Sequence, residues 1–170
     1  MKTPTEVLGL LQKDRAYKDW AQRHQAFLTH FFCAIDSQGE PVTKWEIGYW
    51  ERETGLITVF SFAEDEAVIV KPADEVFKRE TDTVEELDIK QVRLSLEEVR
   101  KIFFARKEDY FPQELLGNGF LILQSWRGKM LWNFTFITKT LKFVNVKINA
   151  ATGEISEHNS IDLVEKKHAT

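Results

Sequence analysis

The chain has a single cysteine, Cys33, so no intramolecular disulfide can form. One thiol without a partner fits a reducing compartment. No apolar run approaches the roughly 20 residues that span a bilayer. The opening Met1-Lys-Thr-Pro-Thr-Glu6 lacks the apolar stretch and small-residue cleavage site of a signal peptide, so a cytoplasmic location is expected. There is no G-x-G-x-x-G, no Walker loop and no G-x-S-x-G, which leaves nucleotide binding and serine-hydrolase chemistry without a motif. The four histidines, His24, His30, His158 and His168, have no ligand spacing. With no H-E-x-x-H and no paired cysteines, no metal and no other cofactor is expected. Basic charge is in deficit, with 23 Lys+Arg against 27 Asp+Glu and a net charge of -4, which disfavours a broad nucleic-acid surface. Lys139, Lys142 and Lys147 form the one basic stripe, and three lysines on a hairpin usually just solvate it.

What the chain does have is apolar and aromatic side chains. Apolar residues make up 43% of its 170 positions and aromatics 12%, including 13 Phe and 5 Trp, enough for a real core. Charge is uneven. Residues 1–85 carry 10 basic and 16 acidic side chains and residues 86–170 carry 13 and 11, so the halves stand at -6 and +2.

The plainest structure is written between Trp132 and Ile155. Trp132, Phe134 and Phe136 alternate with Asn133 and Thr135, and Val144, Val146 and Ile148 alternate with Asn145 and Lys147. Period two in β-branched and aromatic residues predicts strands with one face on a core. Asn149-Ala-Ala-Thr-Gly153 is a turn, after which Glu154–Ile161 returns as a strand or an edge. Upstream, Ser95-Leu-Glu-Glu98 is a capping box and predicts a helix over about 95–108. Gly117-Asn-Gly119 reads as a turn, Phe120–Gln124 as a strand and Ser125–Lys129 as a hairpin turn.

The first half reads similarly. Thr3-Pro-Thr-Glu6 is a capping box with Pro at the first helical position, predicting a helix over about 4–25 with a kink near Lys13-Asp14. Strands follow at Phe27–Ile35, Trp45–Trp50, Leu56–Phe62 and Ala67–Lys71, the last stopped by Pro72. Ala73–Asp88 is a charged connection anchored by Val76, Phe77, Val84 and Leu87, and Ile89–Leu94 a short strand. With an offset of 87, Trp45 falls on Trp132, Ile47 on Phe134, Tyr49 on Phe136, Ile57 on Val144 and Val59 on Val146.

Ile148-Asn-Ala-Ala-Thr-Gly-Glu-Ile155, closing an aromatic-rich hairpin that follows a capped helix, resembles the end of a PepSY domain, a small α+β module of peptidase propeptides. The resemblance covers roughly Leu94–Ile161. With the offset of 87 it implies an α+β fold of two similar helix-plus-meander modules, PepSY-like or cystatin-like, spanning 1–85 and 86–170 in one compact unit. Their helices would pack on antiparallel β-sheets that lie side by side or continue edge to edge. It also implies a non-enzymatic role in holding or inhibiting a partner such as a peptidase, here acting in trans.

His30 and Cys33 fall mid-strand and read as a satisfied sheet histidine and a small core residue. Glu64-Asp-Glu66 and Asp74-Glu75 read as solvated turns, and the Asn133-Phe-Thr135 sequon lies inside a strand. Trp45 and Trp132 are in phase with their strands' apolar faces and are expected in the core. Trp50 and Trp126 sit at strand ends or turns beside Arg52 and Arg127. They either seal the underside of a sheet or, with Arg127, form a partner-binding surface. Two other readings remain open: a small-molecule binder or enzyme with a cystatin-like or nuclear-transport-factor-like pocket, and a homodimer built on the aromatic strands.

Overall fold

The computed structural model describes residues 1–75 and 83–164. Val76, Phe77 and His168 lie outside the described residues. Two short helices open the chain, α1 (Pro4–Lys13) and α2 (Arg15–Ala21). The expected kink is a full break: Asp14 leaves the helical region and its carboxylate caps α2 by accepting from Tyr17 N. Four strands follow, β1 (Ala26–Ile35), β2 (Glu46–Glu51), β3 (Leu56–Phe62) and β4 (Val68–Glu75). A single 3-10 turn at Ile89–Gln91 replaces the strand expected at Ile89–Leu94. Then come α3 (Leu96–Tyr110) and the strands β5 (Leu116–Trp126), β6 (Lys129–Thr138), β7 (Lys142–Asn149) and β8 (Ile155–Asp162).

Two modules with a sheet each are not what forms. The described strands make one antiparallel sheet of eight, in the order β4-β3-β2-β1-β5-β6-β7-β8. The junction is β1 against β5, paired from His30↔Gln124 to Ile35↔Gly119. As two separate meanders, each would expose the backbone of its first strand as an edge; pairing those strands removes both edges. The two strands carry their apolar residues in matching register, Phe31 opposite Leu123 and Cys33 opposite Leu121. The core is accordingly continuous across both halves.

Two local readings also change. Gly117 and Gly119 lie inside β5, because a side chain at either would run into the main chain of β6, at Ile137 and Thr135. Pro72 does not stop β4. It sits on the sheet's outer strand where the register shifts between Lys71↔Val59 and Asp74↔Ile57, a place that needs no ladder hydrogen bond from it.

All three helices bury one side of the sheet. Val7, Leu8 and Leu11 of α1 and Val99 and Phe103 of α3 join Phe31, Ile47, Phe134 and Phe136 in one buried cluster. Phe103 stacks on Phe134 and Phe136 at 5.7 and 5.3 Å. Tyr17 and Trp20 of α2 pack on Phe60 at 5.4 and 5.0 Å. Both expected capping boxes form, Thr3 with Glu6 and Ser95 with Glu98. The residue before each cap is held by a tryptophan from the sheet: the Trp45 indole donates to the Lys2 carbonyl (3.0 Å) and that of Trp132 to the Leu94 carbonyl (3.1 Å). These two rings, expected in the core, are 2% and 1% exposed and lie 6.2 Å apart. Both helix starts are therefore pinned over the middle of the sheet.

Candidate binding face

With every described helix on one side, the other side of the sheet is helix-free, and alternation along each strand decides what it shows. Leu28, Phe31 and Cys33 point to the helices, so Phe27, His30 and Phe32 point away; the register shift between Leu28 and His30 changes the alternation there. Paired residues share a face in an antiparallel sheet. Trp50 and Ile57 therefore join Phe27, Gly48 and Val59 join His30, and Ile122 joins Phe32. Phe27 meets Trp50 edge-on at 5.3 Å, and Phe32 stacks with Phe120 at 5.9 Å. Phe27, Phe32, Trp50, Phe120 and Ile122 are all half-buried, so the β3-β2-β1-β5 half of this face is an aromatic floor.

The β6-β7-β8 half of the same face is polar. Asn133 and Asn145 stand on neighbouring strands, and the Asn145 amide donates to Asn133 Oδ1 and to Thr135 Oγ1 (2.8 Å). Lys147 pairs with Glu157 at 3.3 Å. Trp126 stands at the boundary of the two halves, with the Arg127 guanidinium 4.2 Å and the Lys147 ammonium 5.1 Å from its ring centre. Two cations on one indole are each attracted to the ring's electron-rich face.

The hairpin carrying Trp126 is a two-residue turn, Trp126 opposite Lys129, with Arg127 and Gly128 both at positive φ (51° and 76°). This left-handed pair matches the twist of the strands but is unfavourable for an arginine. It is stabilised from the connecting segment: Glu85 accepts from the backbone N–H groups of Arg127 and Gly128, both at 2.7 Å, and from Ser125 Oγ at 3.3 Å. The sequence offered no signal for this role, since Glu85 is one acidic residue among many in a charged connection. The structure thus puts Trp50 and Trp126 on one face, at the same end of the sheet and two strands apart, with Arg127 covering Trp126. Its wider floor of Phe27, Phe32 and Phe120 was not singled out from the sequence.

The other candidates among the described residues are buried or packed within the fold. Cys33 is fully buried and desolvation pushes its thiol up to about 12, which removes the thiolate needed of a nucleophile. Among the described residues no three His, Cys, Asp or Glu side chains cluster as a metal would need. His24 stacks on Trp20 at 4.9 Å and bonds Glu51 at 3.1 Å, and His158 packs on Tyr110 at 4.1 Å.

His30 lies over Gly48, the one residue on β2 without a side chain to displace it, with Nδ1 2.9 Å from Thr29 Oγ1. Desolvation holds its pKa below the ordinary 6.5, with Glu46 opposing in part. Below that ordinary value the unfolded chain binds a proton that the folded ring does not. The contribution of His30 is therefore full above pH 6.5 and lost as the pH falls through the lower folded value. Urea midpoints at about pH 7.5 and 5 are expected to differ more in the wild type than in His30→Gln. Equal differences would place the pH dependence on other groups.

The fold and this face define a class: an α+β protein with one antiparallel sheet, the described helices on one side and an aromatic side that no described helix covers. No family model matches the chain. No curated protein matches it either. Among solved structures it is similar to a protein of Clostridium difficile 630 described as a putative lipoprotein, with a TM-score of 0.54 and 12% identity over 93% of this chain and 92% of that one. At that identity the likeness concerns the fold alone.

Proposed function

We propose that the protein is a non-enzymatic binding module that docks a protein partner on the helix-free face of its sheet. The observation that supports this most is the aromatic floor of Phe27, Phe32, Trp50 and Phe120, bordered by the cation-covered Trp126. Interfaces combine such features: rigid aromatics and arginine at the centre, polar groups around them. The Asn133–Asn145 half supplies the polar border. An inhibitory action in trans, of the kind the PepSY-like resemblance implies, belongs to this reading.

Capture of a partner by the tagged protein, compared between wild type and the Trp50→Ala/Trp126→Ala double variant, tests it. Truncating a buried interface tryptophan typically costs about 2 kcal/mol or more, which is some 30-fold in affinity per residue. The variant is expected to keep its circular dichroism and lose the partner. A folded variant that retains every captured protein at wild-type strength would refute the assignment.

A further inference from the structure

On the helix side of the sheet, α1 and the β3–β4 hairpin do not close on one another. A cleft of about 440 Å³ lies between them, floored by Trp45, walled by Val7 and Leu10 of α1 and by Phe62 and Val68 across from them. That is within the usual size of ligand pockets, which are apolar with a few placed polar groups. We propose that this cleft binds an amphiphile with one acyl chain and an anionic head, of fatty-acid chemistry, and that Lys13 holds the head.

The apolar volume sets the tail. A methylene fills about as much space as a water's share of the liquid, ~30 Å³, so the cleft takes a chain of roughly a dozen carbons. The head follows from the charged side chains at the rim, of which four are engaged. Glu66 pairs with Lys2. Lys44 donates to the Ala63 carbonyl. The Asp14 carboxylate is turned onto the start of α2. Lys13, in the last turn of α1, has no hydrogen bond or ion pair with a described residue, so the charge left for a ligand at the mouth is positive. A cationic head would meet it with repulsion, and a neutral one would leave it unused. Leu10, 41% exposed at this mouth, is the apolar surface that a bound tail would cover.

Isothermal titration with dodecanoate below its micellar concentration, on the full chain, tests the proposal. Binding of one molecule per chain is expected, at least tenfold tighter than dodecyltrimethylammonium. Lys13→Glu should weaken dodecanoate at least tenfold, and Leu10→Glu should abolish it. Both positions are solvent-facing on α1, and a thermal melt of each variant verifies the fold. If Leu10→Glu melts early, Lys13→Glu alone decides. The Trp50→Ala/Trp126→Ala variant should bind dodecanoate as the wild type does, so this site and the docking face stand or fall separately. Absence of a binding heat, equal affinity for the cationic amphiphile, several molecules per chain, or indifference to Lys13→Glu would each overturn the proposal.

Discussion

Phe134→Ala is expected to lower the unfolding free energy by roughly 3–5 kcal/mol, the range seen when a buried phenylalanine is emptied. Phe134 is fully buried in the middle of β6, between Leu121 on β5 and Val146 on β7. Its ring lies near-parallel to those of Phe103 (5.7 Å) and Phe136 (6.2 Å), which also meet each other at 5.3 Å, so one truncation removes burial and two ring contacts together. The site cannot collapse readily, because its walls are three hydrogen-bonded strands and a helix whose start is fixed by the Trp132 indole. Phe103→Ala should cost a similar amount, and the double variant less than the sum, since each change empties the same space. Urea denaturation of the four proteins checks this. A cost below about 1 kcal/mol for Phe134→Ala would mean that α3 does not pack there.

Gly119→Ala is expected to cost about 3 kcal/mol, at the upper end for overpacking, although it adds one carbon. A Cβ at this position would lie inside contact distance of the Thr135 carbonyl oxygen and 2.9 Å from Phe136 Cα, and both are main chain of the paired strand. Relief requires β5 and β6 to separate at the point where β5 also holds Ile35 of β1. Gly48 offers the contrast. The three atoms nearest to a Cβ there all belong to the imidazole of His30, a side chain that can rotate away. Gly48→Ala should therefore be milder, and His30→Ala should rescue it, whereas no side-chain truncation should rescue Gly119→Ala. Urea midpoints of these variants decide the matter. A Gly119→Ala protein within about 0.5 kcal/mol of wild type would contradict the β5–β6 pairing.

Much of this was written locally in the sequence. Thr3-x-x-Glu6 and Ser95-x-x-Glu98 became capping boxes, and the alternations at Trp132–Phe136 and Val144–Ile148 gave the buried faces of β6 and β7. What was not legible depends on partners far along the chain. The β1–β5 junction joins His30 to Gln124, and nothing near either residue announces the other, so the sequence of one sheet reads as two modules. Gly117 and Gly119 look like a turn because glycine favours turns, and only the neighbouring strand shows that they make room for its backbone. The docking face was half visible. Trp50 and Trp126 stood out as aromatics beside arginines. Phe32 and Phe120 did not, because Phe31-Phe32-Cys33 and Phe120-Leu-Ile-Leu123 are apolar on both faces of the sheet and so lose the period-two signal.

On the proposed function, the partner docks on the side of the sheet that no described helix covers. Site-specific photo-crosslinking in the cells that make the protein tests this directly. Benzoylphenylalanine is placed at Phe32 and Phe120 on the helix-free face, and at Lys101 on the outer surface of α3. Protein adducts from the first two positions and none from the third are the expected result. Adducts from Lys101 alone would contradict the claim and move the docking surface to the helices.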